Sequence, residues 1–445
     1  MKNTRRTRMT RLAAVTMTTA LVAAACGGSD DATDTAEPAD TAEPADTAET
    51  DDAADASEAV VVSFVGPEAP EAMEPVIAAY EAENPNVDIQ YESVPFNDLN
   101  SIIQTRLGSG DADPDVFTVD SPRTEAFVAR GLLAELDVET DGIVQQSAVD
   151  AATIGDGLYA LPISTSSQLL YYNTDLLEAA GLPIPSEDPA DRLTWEALID
   201  NATEAQGAGA EFGFMFDQVS RYYQLQPLAE SAGGGSGVES GTLEIDITND
   251  GWVEAMEFYG GLFEDGLAPR GVSPEQSPDL FANGQVAYWV GGPWWLPMMA
   301  DAEGLNFGVA PHPYFDGGAE VTPTGAWSWG VSASSDVSEE AIRFIEFAAL
   351  DPVGALATAQ GFPLPPANNE VFTTYYAENQ VVPGVEELIS FELANTAVAR
   401  PRTQGYVEFE EFMGTMFEDI RNGADPATAL ADAESAIEQA WSRLN

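Results

Sequence analysis

The chain has 445 residues, 75 of them acidic and 16 basic, for a formal net charge of −59. That balance excludes nucleic acid and anionic membrane surfaces as partners, since both are bound through basic patches. Hydrophobic residues make up 44% and the mean hydropathy is −0.12, which allows a sizeable core in a chain long enough for two or more domains.

In chain order, MKNTRRTRMTR is a basic start and LAAVTMTTALVAAA a short apolar run; Cys26, the only cysteine, follows. The apolar run is too short and too interrupted by Thr to span a bilayer. With Gly-Gly-Ser after the cysteine, the segment resembles a bacterial lipoprotein signal, which implies cleavage before Cys26 and lipid on its sulfur. Ala23 stands where Leu is commonest in such signals. The alternative is an ordinary secretory signal with an incidental Cys26. One cysteine also excludes an intrachain disulfide and any Cys-x-x-Cys metal or redox motif. Cleavage removes five basic residues (Lys2, Arg5, Arg6, Arg8, Arg11), taking the charge from −59 to −64 and leaving eleven arginines and no lysine.

Residues 27–58 hold TAEPAD twice, no aromatic ring, and small or acidic side chains. Such a segment cannot bury enough apolar area to offset chain entropy, so it reads as a disordered tether spanning at most ~105 Å. The acids of the remaining chain read as a solvated surface suited to a saline medium that screens self-repulsion, rather than as catalytic or metal-binding groups.

From Val60 the pattern alternates. VVVSFV is a buried strand, PEAMEPVIAAYEAE a helix, VDIQYE a strand, FNDLNSIIQTRLGSG a helix, DVFTVD a strand and SPRTEAFVARG a helix. The βαβαβ order predicts a parallel, doubly wound sheet with ligands beyond the carboxyl ends of its strands. Asp120 ends the third strand and Glu71 follows the first, so both are candidate ligand contacts, with helix capping as the plainer role of each. Further on, TWEALIDNATEAQ and WVEAMEFYGGLFEDG read as helices. FANGQVAYWVGGPWW carries a buried strand broken by Gly291, Gly292 and Pro293, and Leu305–Ser332 reads as two strands. SEEAIRFIEFAAL and the C-terminal DPATALADAESAIEQAWSRLN are helical. Trp252, Trp289 and Trp441 are expected in the core, and at most one of Tyr171 and Tyr172 faces a cleft. His312, the only histidine, sits between two prolines and reads as a loop residue. No phosphate loop, GxSxG or HExxH is present.

Several stretches together, in this order, resemble the extracellular solute-binding proteins of ABC importers, of the maltose-binding type. They are DPDVFTVD, ALPISTSSQLLYYNTDLLEAAG, FANGQVAYWVGGPWW, GAWSWGVS, FIEFAAL and ARPRTQGYVEF. The resemblance implies an α/β, two-lobed periplasmic-binding-protein fold of type II, with a ligand cleft between lobes and closure about a hinge. Chain crossing places about 59–162 and 312–361 in the first lobe, and 163–311 and 362–445 in the second.

It further implies a sugar ligand, ABC permease subunits as membrane partners, a lipid-anchored monomer outside the cytoplasm, no cofactor and no catalysis. Carried over, the motifs put Glu71 and Asp120 at the first lobe's rim and Ser164 and Ser166 in the cleft segment, where relatives often carry Tyr or Asp. Trp294, Trp295, Gly325 and Trp327 fall on the aromatic blocks, and Arg400 or Arg402 on the Arg-Pro block. A pyranose suits such a set, its C–H face on a flat ring and its hydroxyls on carboxylates and Arg. Trp294 is expected to be the platform, with Trp295 packed behind it. The alternatives are the same architecture for a polyamine or glycerol phosphate, and a secreted glycoside hydrolase, which needs two carboxylates at a set separation.

Overall fold

The structure is a computed structural model and describes residues 59–362, 364–378 and 382–444. The signal, Cys26 and the tether lie outside the described residues.

Two sheets flanked by helices organise the chain. The strands are β1 Val60–Gly66, β2 Val87–Ser93, β3 Val116–Asp120, the small pair β4 Thr153–Ile154 and β5 Gly157–Leu158, β6 Leu161–Ser166, β7 Leu169–Asn173, β8 Phe212–Phe216, β9 Val286–Gly291, β10 Phe307–Ala310, β11 Thr322–Val331 and β12 Ala397–Ala399. The first sheet runs β12-β11-β3-β1-β2, with β6 also paired to β11, and the second runs β10-β7-β9-β8. β1 pairs in parallel with both β2 and β3, as the βαβαβ order predicts.

One departure from a purely parallel sheet has a clear source. β11 arrives from far along the chain and runs antiparallel to both β3 and β6. β6 straddles the expected lobe crossing at 162–163, and β12 pairs with β11 although it belongs to a stretch expected in the other lobe. Strands of the first sheet therefore continue directly into segments that lead to the second.

Burial follows strand position. β3, central in its sheet, is buried at every residue, whereas β2 at the edge alternates. The first sheet's core gathers Phe64, Trp329 and Phe344, with Trp329 stacked on Phe344 at 5.6 Å and 20°. The second core centres on Trp195, Trp252, Tyr259 and Trp441. Trp252, Trp289 and Trp441 are buried as expected. Tyr171 and Tyr172 are both buried, and the Tyr171 hydroxyl donates to the Gly292 carbonyl at 2.7 Å, bracing the turn after β9.

His312 lies in the loop before β11 but is 1% exposed. Burial, then the neighbouring Arg192, hold its imidazole down at about 3, so it is neutral. Beside it Arg192 and Glu392, with side chains 1% and 0% exposed, pair at 2.9 Å. The Glu392 carboxylate also accepts the His312 backbone N–H at 3.2 Å.

Most of the arginines are engaged by carboxylates (Arg106 by Glu92, Arg343 by Glu340, Arg421 by Glu418), so the surplus of acids goes uncompensated. Screening that repulsion should raise the melting temperature as sodium chloride goes from dilute to molar. A midpoint that stays flat across the series would refute adaptation to salt.

Candidate functional site

The register of β11 builds the site. It sets Trp327 opposite Asp120 on β3 and Ser164 on β6, and Gly325 opposite Ser166. The same strand thus sends Trp329 into the core while Trp327, two residues earlier, stays partly exposed. On the other side of the cavity β9 ends at Gly291, and Pro293–Trp295 forms a single 3-10 turn that carries the two adjacent rings. Glycine is required at 292 by close approach, because a Cβ there would overlap the Trp294 ring.

These elements enclose a cavity of about 680 Å³, within the range of small-molecule sites. It is lined by residues of both sheets' flanks, and among them are Asp120, Ser166, Trp294, Trp295, Trp327 and Arg400. The remaining expected residues lie outside it. Glu71 is exposed in the first turn of the helix Pro70–Glu83, and Glu68, in the loop before that helix, lines the cavity instead. Ser164 is buried one strand step deeper than Ser166, with no hydrogen-bond partner for its hydroxyl. Gly325 lies under Arg400, so that a Cβ would come to 3.0 Å from its Nη2. Arg402 turns away and donates to the Thr153 carbonyl at 2.7 Å and to that of Asp150.

Of the two arginines, then, Arg400 belongs to the cavity. Its guanidinium grips the Asp120 carboxylate through both terminal nitrogens, Nη1 at 2.7 Å. The carboxylate is shared with Arg123 at 3.2 Å, and Arg123 also pairs with Glu410. Burial penalises the charge of Arg400, but Asp120, Tyr406 and Glu410 together outweigh this and hold the guanidinium above its usual range. Asp120 makes no capping bond to the turn that follows it; its oxygens serve arginine. Arg400 also lies 5.2 Å from the centre of the Tyr223 ring, and the Tyr223 hydroxyl shares a 2.9 Å hydrogen bond with Ser166.

The rings divide as follows. Trp294 tilts against Tyr223 at 6.3 Å, and Trp295 leans on buried Trp289 at 6.3 Å, while both reach the cavity. Asp217 lies beneath them, 1% exposed, taking the Ser277 hydroxyl at 2.8 Å. Burial lifts its carboxyl to about 6 against the opposing influence of Trp295, Ser277 and Arg221. Glu68 has one carboxylate oxygen buried without a partner, and burial lifts it to about 8.

Glu68, Phe96, Asp217, Arg221 and Tyr223 were not singled out by sequence. Asp217 carries the same signal as Asp120, an acid at the carboxyl end of a buried strand, here FGFMF. Phe96 and Arg221 carry no local signal. Flat rings, arginine donors and carboxylates in one cleft can hold a ring-shaped, polyhydroxylated molecule. Among the described residues no group of three or more His, Cys, Asp or Glu could hold a metal ion, and no helix is long and apolar enough to cross a membrane.

Comparison with known proteins agrees with this geometry. The model of the family described as bacterial extracellular solute-binding protein matches residues 66–355. The galactooligosaccharide-binding protein of Bacillus subtilis (strain 168) is 27% identical over 399 residues, covering 84% of this chain and 86% of that protein. A maltooligosaccharide ABC transporter solute-binding lipoprotein of Streptococcus pneumoniae (strain ATCC BAA-255 / R6) is 23% identical over 341 residues, covering 73% and 76%. An ABC substrate-binding protein from Listeria monocytogenes, solved in complex with cycloalternan, superposes with a TM-score of 0.76 at 24% identity over 86% of this chain and 99% of its own.

Proposed function

The chain belongs to the bacterial extracellular solute-binding proteins, and we propose that its solute is a sugar, an oligosaccharide in particular, captured between two lobes and delivered to an ABC importer. This is a family of receptors and not of enzymes, so the carboxylates of the cleft act as acceptors and ion-pair partners. The observation that carries the sugar reading is the cavity's make-up. Trp294, Trp295 and Trp327 line it together with Arg400, Asp120 and Ser166, and each of the three arginines in the lining, Arg123, Arg221 and Arg400, faces a carboxylate, which disfavours a phosphate.

In this reading the lobes are about 59–162 with 312–361, and 163–311 with 362–445. Ligand touching both favours the closed form, because only differential contact shifts such an equilibrium. The lipoprotein-like start supports a lipid anchor on Cys26, with the acidic segment as tether holding a monomer off the membrane. The relatives named for galacto- and maltooligosaccharides support a neutral saccharide.

Calorimetric titration with mono- and oligosaccharides, a polyamine and glycerol phosphate tests the solute class. Heat and a thermal shift with saccharides alone are expected; binding of only the polyamine or the phosphate would overturn it. Trp294→Ala and Trp327→Ala should each weaken saccharide binding by ~1 kcal/mol, about fivefold in Kd, with little change in melting temperature. If both variants bind like the parent, these rings are not the platform.

A further inference from the structure

The cavity's lining holds a contact that the proposed function does not use. Phe96, in the turn between β2 and the helix Leu99–Gly108, is a large apolar ring 42% exposed. Its edge meets Trp327 at 5.5 Å and 67° between centroids. Over its face lies Arg221, the residue that precedes the helix Tyr222–Ser231 on the far side of the cleft, 4.6 Å from the ring centre. Arg221 donates to the Asn97 side-chain oxygen at 3.0 Å, and its nearest carboxylate, Glu275, stands off at 3.9 Å.

Both partners are underused. A guanidinium has five N–H donors, and this one closes a single hydrogen bond at ordinary length, in a chain with eleven arginines after residue 58. Burial, moreover, pulls its pKa below the usual arginine range, a sign that its charge is poorly solvated. The ring keeps much of its apolar surface in water, at an energetic cost. A cation over an aromatic face satisfies none of the guanidinium's N–H donors. A saccharide ring could replace it with two stronger ones, C–H face on Phe96 and hydroxyl oxygens accepting from Arg221.

We propose that Phe96 and Arg221 form an outer sugar subsite that is closed on itself until ligand arrives. The pair comes from opposite sides of the cleft, so the incoming pyranose takes the place of one partner for each and ties the two sides together. Phe96 is exposed beside Trp327, so an oligosaccharide extending outward from the tryptophan platform covers the pair more fully than a single ring does. The proposal rests on the sugar reading above and adds to it a preference for chain length.

The test is calorimetry on the protein, its Phe96→Ala, Phe96→Trp and Arg221→Gln variants, and the double variant Phe96→Ala with Arg221→Gln, using two series, glucose to maltohexaose and galactose to galactotetraose. For the longest saccharide the parent binds, Phe96→Ala and Arg221→Gln should each lose about tenfold in affinity. The double variant should lose less than the product of the two, since the residues act as a unit. Phe96→Trp should restore binding. For the shortest saccharide bound, the loss in each variant should be smaller than for the longest. Melting temperature should hold in Phe96→Ala because the ring is exposed, which separates loss of contact from loss of fold. Binding of the longest saccharide within twofold of the parent in Phe96→Ala and Arg221→Gln would overturn the subsite and leave the sugar reading standing. A parent protein that binds no saccharide of either series would overturn the sugar reading and the subsite with it.

Discussion

Arg400→Met should abolish measurable ligand capture and lower the unfolding free energy by about 3–5 kcal/mol, the usual consequence of removing one member of a buried ion pair. The Arg400 and Asp120 side chains are 7% and 5% exposed and joined through two nitrogens and two oxygens. Without Arg400 the carboxylate keeps only Arg123 at 3.2 Å, which places the loss toward the lower end of that range. Arg400 also follows β12, which is hydrogen-bonded into the first sheet, and leads into the helix Tyr406–Arg421, whose Glu410 pairs with Arg123. The variant therefore loosens a cleft wall and a strand-to-helix junction at once. Chemical unfolding and calorimetric titration together check it. Adding Asp120→Asn to Arg400→Met should recover part of the stability, because the stranded charge is then gone, yet it should not recover binding. Full binding in the single variant would show that this pair is remote from ligand.

Arg192→Met should cost a similar ~3–5 kcal/mol, about 5 °C in Tm for a chain of this size, without changing saccharide affinity measured well below the transition. Glu392 is fully buried and paired to Arg192 at 2.9 Å; the arginine also donates to the His312 carbonyl. None of the three lines the cavity. Replacing the cation by an apolar side chain leaves the Glu392 charge with only a backbone N–H and the Thr396 hydroxyl. The contrast between the two arginines is the informative result: one variant loses fold and function together, the other fold alone. A loss of affinity in Arg192→Met would mean that this buried pair communicates with the cleft.

The parts of the structure legible in the sequence are those governed by local patterning. Strands at Val60, Val87 and Val116 and the helices between them follow from the spacing of apolar residues, and the burial of Trp289 follows from its place inside VAYWV. Asp120 was locatable because strand ends are local features. Its partner was not, since Arg400 lies 280 positions away and only the folded chain brings them together. Glu71 and Glu68 differ by three residues, less than the reach of a loop, so a motif match cannot say which carboxylate faces inward. Arg400 and Arg402 are separated by one residue, and the turn after β12 sends their side chains to different places. Phe96 and Arg221 form a pair across the cleft, and nothing in either one's neighbourhood points to the other.

The distribution of tryptophan burial has an optical consequence. Five of the eight indoles, at 195, 252, 289, 329 and 441, are at most 2% exposed, while the other three, at 294, 295 and 327, line the cavity. The shielded five should emit at the blue edge and remain constant as ligand is added. The three at the cavity should start redder and shift when water leaves the cleft. The protein thus carries an internal spectral reference beside its own reporter, and the ratio of the two bands reads occupancy independently of concentration.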